Sequence, residues 1–216
     1  MMAESIAKYP RENNEKFELM SGGMIVSAGI NRFDKPKHVR TELIPGMKAV
    51  VILSGRMQIR VGHGVEREIC GPAVLLLKTS ASTPRDQVFA ADVPVRYVLV
   101  HLNETVFGDH LSASLREALR QDGGSNEFEP VLLSSPAGRE LQSLTSQILN
   151  CPIRGIEREL YLGGKAMQLA SLAISSCLSN ATPGDRIALS STENDRIRKA
   201  RELLIASMRN PPSLES

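Results

Sequence analysis

The residues able to hold a metal or attack a substrate are few and scattered. The 216-residue chain has four histidines, His38, His63, His101 and His110, and three cysteines, Cys70, Cys151 and Cys177. No two histidines stand as His-x-His, the spacing that puts two imidazoles on one face of a strand. No two cysteines stand as Cys-x-x-Cys, and an odd, sparse set reads as reduced thiols. His63 lies between two glycines in a turn, where exposure is expected. His101, on an apolar strand, reads as a hydrogen-bonded wall residue rather than a ligand. No Ser-His-Asp or Cys-His arrangement and no phosphate-binding glycine loop is legible, and GHGVE (62–66) is not a P-loop. The chain is therefore expected to bind no metal or cofactor and to catalyse nothing.

What remains is binding chemistry. Between residues 31 and 101, eleven Lys or Arg stand against six Asp or Glu, although the whole chain carries only +2. The bulk charge is too small to argue for nucleic acid, but a basic pocket would favour an anionic or carboxylate-bearing ligand. If these groups point outward they are merely solvated, and that reading stays open. The residues expected to line a pocket are Arg40, Met57, Phe89, Tyr97 and His101. They lie on different strands and mix apolar walls with polar anchors. A slip of one residue in register would turn any of them to the other face.

The elements that must position them change character near residue 103. Upstream, short β-type runs are divided by Gly and Pro: 22–30, 39–44, 47–55, 56–61, 65–70, 73–79, 86–91 and 95–102. In RMQIRV (56–61), Met57, Ile59 and Val61 share one face and three polar residues share the other. Such spacing predicts a sandwich or barrel. The stretch IPGMKAVVILSGRMQIRVGHGVEREICGPAVLLL (44–77) resembles a cupin or jelly-roll β-barrel in its cadence of turns and strands. Small barrels of this kind enclose one ligand.

Downstream the pattern is helical, giving an α+β chain. Residues 109–121 and 135–150 predict two helices, the second capped by Ser135 with Pro136 at its first position. Residues 156–179 predict a third. There Leu160, Met167 and Ile174 recur every seven residues, as do Ile156, Gly163, Ala170 and Cys177. This is a heptad-like seam whose small residues admit a second helix closely. A second apolar line, Leu162, Leu169 and Leu172, is left for the helix's own domain. The seam is expected to make a homodimer, so that Ala170→Arg would yield a monomer. A fully buried helix in a monomer is the other reading. Residues 180–192 read as a linker.

The final segment, TENDRIRKARELLIASMRNPPSLES (192–216), begins with a Thr192 cap and carries a stripe of Ile197, Ala200, Leu204 and Met208. Two prolines stop it, and Ser213 is placed to cap another helix. Helix, Pro212, Ser213, Leu214 and Glu215 come in the order that opens the DNA-binding domain of AraC/XylS-type transcription regulators, and the segment resembles it. ELYLGGKAMQLASLAI (159–174) resembles the linker helix of the subgroup containing the pyochelin regulator, which includes sensors of ferric siderophores.

The resemblance implies a ligand-sensing, dimerising region of such a regulator. It implies an arm (1–19), a cupin-like barrel (20–103), a helical dimerisation region (104–179), a linker (180–192) and the incomplete start of a helix-turn-helix domain (193–216). Its implied partners are a small effector, a second copy and, only through a downstream domain, DNA. The two full helix-turn-helix units of the family do not follow here. The N-terminus lacks the apolar core of a signal peptide and no apolar run spans a bilayer, so a cytoplasmic protein without a membrane partner is expected. Two alternatives are a stand-alone cupin enzyme with atypical ligands and a dimerisation module with a solid barrel.

Overall fold

The computed structural model describes residues 14–19, 22–64, 66–91, 93–104, 106 and 130–181. The chain divides into two compact units after Thr182, and the described residues all belong to the first. The helices expected at 109–121 and 192–210, including Ile197, Ala200, Leu204 and Met208, and the linker at 180–192 lie outside the described residues, apart from 180–181.

The described strands are β1 (Glu15–Leu19), β2 (Met24–Asn31), β3 (Lys37–Leu43), β4 (Gly46–Ser54), β5 (Arg56–Val61), β6 (Arg67–Cys70), β7 (Ala73–Thr79), β8 (Thr83–Phe89), β9 (Val95–Leu102) and β10 (Val131–Pro136). Two described helices follow, α1 (Arg139–Leu149) and α2 (Ile156–Ala181). The strands form two antiparallel sheets, ordered β1-β2-β9-β4-β7-β10 and β3-β8-β5-β6. Strands 2-9-4-7 facing 3-8-5-6 is the double Greek-key order of a jelly roll, so the β-rich, cupin-like fold expected from the turn cadence is present.

The large sheet has two covered faces. Val50, Ile52, Leu75, Leu77 and Val95 face the small sheet, together with its Met57, Ile59, Val61 and Phe89. Met47, Ala49, Val51, Val74, Leu76, Val98 and Val100 face the helices. Burial on both sides explains why β4 and β7 read as unbroken apolar runs. β5, in the small sheet, alternates buried and exposed residues along its whole length, because its other face meets water.

Two strands escaped the sequence reading. The arm's residues 15–19 are β1, paired with β2. Residues 131–136 are β10, which returns past the expected end of the barrel to pair with β7. The Ser135 cap is corrected accordingly. Ser135 lies in β10 with its Oγ 3.0 Å from Ser176 Oγ on α2, and α1 starts later, with Gly138 at its N-cap.

α2 lies over the large sheet through Leu162, Ala166, Leu169, Ala170, Ala173 and Cys177, all fully buried. This corrects the seam. Ala170 and Cys177 pack in their own domain, while Ile156, Leu160 and Met167 are 73%, 76% and 41% exposed. Gly163 and Ile174 are half-buried. The cause is rotational drift. A straight α-helix turns about 20° per heptad relative to a seven-residue repeat. Over three heptads the line from Ile156 to Cys177 therefore rotates by roughly 60°, from solvent into the sheet.

Candidate functional site in the jelly-roll interior

Alternation fixes which side chains enter the space between the sheets. On β9, Val95, Tyr97 and Leu99 belong to that inner layer, and His101 continues the same face. On β4, Val50 and Ile52 do, and Lys48 continues theirs. Lys48 and His101 are directly opposed across β4 and β9. On β8, Gln87 and Phe89 face inward, and Arg85 shares their side. The apolar interior thus carries a polar end made by Lys48, His101, Arg85 and Gln87.

Each of these groups is held. The Lys48 ammonium donates to the carbonyl of Ile44 at 2.7 Å. His101 Nε2–H donates to the carbonyl of Pro45 at 3.0 Å. Arg85 donates from Nε and Nη2 to Thr41 Oγ1 at 3.1 and 2.8 Å. Gln87 Nε2 reaches Met57 Sδ at 3.5 Å, and its buried carbonyl oxygen has no partner among the described residues. The Ile44-Pro45-Gly46 turn that receives two of these bonds is tight. Gly46 has φ +119°, and a Cβ there would lie 2.5 Å from the Leu102 carbonyl and 2.6 Å from His101 Nε2.

Burial sets the charges. Desolvation, then the nearby Arg85, pulls Lys48 down to about 8, which leaves it mainly protonated at neutral pH. Burial, then the Lys48 charge, pulls His101 down to about 4, despite its bond to Pro45. His101 is therefore a neutral donor at neutral pH. The end of the barrel holds positive charge from Lys48 and Arg85 without a carboxylate paired to Lys48 among the described residues.

The five expected pocket residues separate. Met57, Phe89 and His101 are buried on the inner faces, and Tyr97 is half-buried beside them. Arg40 is on the opposite side of the small sheet, three-quarters exposed, which removes it from the pocket. There it joins His38 and Arg60 around Asp86. The hydrogen bond from Arg60 is the first cause that holds the Asp86 carboxyl below its usual range. Lys48, Arg85 and Gln87 were missed. Lys48 carried a signal, a lone ammonium in the apolar run GMKAVVILS. Among the described residues no group of three or more His, Cys, Asp or Glu is placed to hold a metal ion. No described helix is long and apolar enough to cross a membrane.

Comparison with known proteins places this architecture. Residues 15–189 match the family described as Regulatory protein PchR N-terminal domain. The chain is 31% identical over 194 residues to Regulatory protein PchR of Pseudomonas aeruginosa, covering 90% of this chain and 62% of that protein. The chain thus spans under two thirds of that relative's length. Among solved structures, apo ToxT K231A of Vibrio cholerae is similar with TM-score 0.45 at 15% identity, over 95% of this chain and 70% of that one. The cupin domain of Schizosaccharomyces pombe Cnp3 is similar with TM-score 0.36 at 10% identity, over 53% and 72%. The family match covers most of the chain, which therefore belongs to the PchR N-terminal domain family, the AraC-type sensor region that its sequence resembles.

Proposed function

We propose that this chain is the effector-sensing and pairing region of an AraC-type transcriptional regulator, and that its effector is a small anionic, siderophore-like molecule held between the two sheets. The observation that carries the reading is the polar end of the jelly-roll interior, where Lys48, Arg85, His101 and Gln87 meet the apolar walls of Met57, Phe89 and Tyr97. Such a mixture is what a small-molecule site requires. Operator binding belongs to a domain downstream of Ser216, and occupancy of the barrel biases how two such domains are presented.

Extending the chain through two helix-turn-helix units of the family tests this. The extended protein should bind its operator with an affinity that a ferric siderophore changes by roughly 5- to 150-fold. An extended protein that never binds DNA, or binds it identically with and without the effector, sinks the reading.

Pairing is proposed through the first half of α2. Leu19, Met24, Ile156, Leu160, Gly163, Gly164 and Met167, together with Glu159, line a shallow, mainly apolar cavity of about 450 Å³. The large side chain of Leu160 stands one turn from the hollow over Gly163 and Gly164. Knob and hole on one surface are what a two-fold axis needs, since each copy fills the other's hollow. Leu160→Arg should fold normally and sediment as a monomer where the parent chain sediments as a dimer. A dimeric variant removes this face from the interface.

A further inference from the structure

We infer that two copies of this chain join edge to edge along β1, so that their six-stranded sheets become one continuous sheet beside the paired first halves of α2. The inference rests on the pairing proposed above, and it names the strand that sets the geometry of that pairing.

β1 is the outer strand of the large sheet, and among the described residues only β2 pairs with it. An edge strand turns a row of unpaired N–H and C=O groups outward, ready for another strand. Natural edges are commonly blunted by proline, a bulge or a repelling charge. Glu15–Leu19 contains no proline, and its register with β2 is unbroken. Its charges suit a copy of itself. In EKFEL, Lys16 and Glu18 flank Phe17 symmetrically. A second β1 laid antiparallel on the first, about a two-fold axis at Phe17, puts Lys16 opposite the partner's Glu18. Glu18 then stands opposite the partner's Lys16, and Phe17 opposite the partner's Phe17. Opposite charges and aromatic rings are the cross-strand pairs that stabilise a sheet. A slide of two residues sets Glu18 against the partner's Glu18, or Lys16 against the partner's Lys16, so the charges also fix the register. Within one chain the two side chains meet each other at 3.6 Å and are 43% and 60% exposed. Such a solvated pair is weak and free to re-form across the axis.

The edge is continuous with the α2 face. Glu15 is ion-paired with Arg158 of α2, whose guanidinium lies 5.9 Å from the centre of the Phe17 ring. Leu19 lines the cavity with Leu160 and Gly163. A strand of five residues alone is too small a contact for a stable dimer, which buries about 1,200–2,000 Å². Exposed Ile156, Leu160 and Met167 add apolar surface beside it. One two-fold axis can close both contacts together.

A charge swap in the full chain, read by sedimentation equilibrium, tests this. Lys16→Glu and Glu18→Lys should each melt like the parent, because both side chains are exposed. Each should dimerise roughly 5- to 30-fold more weakly, since symmetry makes two like-charge pairs from one substitution. An equimolar mixture of the two variants should dimerise as tightly as the parent, because each supplies the charge that the other lacks. The double swap K16E/E18K should do so alone. Single variants with the parent affinity, or a mixture and double swap as weak as the singles, would overturn edge pairing. A parent chain that stays monomeric overturns it too. Leu160→Arg keeps the two readings separable. If it gives a monomer while the swaps change nothing, the α2 face pairs without β1 and the inference falls. If the swaps behave as expected while Leu160→Arg stays dimeric, the β1 edge stands without that face.

Discussion

Arginine at Ala170 is expected to unfold the chain, not to split a dimer. Ala170 is 2% exposed, and its neighbours Ala166, Leu169 and Ala173 are wholly buried on the same face of α2. Small residues there let the helix lie close on Val51, Val74 and Leu76 of the large sheet. A guanidinium in that layer overfills it and places a charge where the buried neighbours named here offer no carboxylate. Overpacking contributes about 1–3 kcal/mol and an unpaired buried charge several more. Domains of this size are stable by about 5–15 kcal/mol in total, so most of that margin goes. Circular dichroism should show a lost or greatly lowered melting transition for Ala170→Arg and a normal one for Leu160→Arg. A folded, monomeric Ala170→Arg protein with the parent melting temperature would contradict this packing.

Alanine at Gly46 is expected to have the next largest effect, and it acts on the site. The backbone there has φ +119°, a region that L side chains rarely adopt. The added methyl would also meet the Leu102 carbonyl and the His101 ring at distances no real Cβ shows. Strain of about 1–3 kcal/mol adds to a similar term for the clash. Together they correspond to a melting temperature lower by roughly 5–15 °C. The turn also accepts the bonds of Lys48 and His101, so a shift at Gly46 moves both. The imidazole signals of His101 in an NMR spectrum should therefore shift as well. A variant that melts within about 1 °C of the parent, with unmoved His101 signals, would show that the turn has room.

The sequence made the jelly roll legible because its strands differ in kind. β5, β7 and β9 were bounded correctly, since their turns carry Gly and Pro and their patterns are either alternating or unbroken. β10 was not, because VLLSSP is short and its Ser-Pro also reads as the start of a helix. Only pairing with β7 gives it a reason to be extended. The α2 seam was half legible. Seven-residue spacing marked the correct residues, but spacing alone carries no direction, and the drift of a straight helix sends the two halves of the line to different neighbours. The inner layer was legible where its walls are apolar, at Met57, Phe89 and Tyr97. Arg40 was misplaced because charge counting ignores the face. Lys48 and Arg85 were overlooked because a cation facing inward looks like any other cation until register is known.

The two-sided burial of the large sheet has a consequence for signalling. Lys48 looks into the barrel, and Met47 and Ala49, its immediate neighbours along β4, look onto the helical layer. The jelly-roll interior and the helix bed are thus separated by a partition one polypeptide thick. A displacement of Lys48 therefore need not pass through a long chain of side chains to reach the helices. It would be felt directly on the far side of the same strand, because the layers on both of its faces are close-packed.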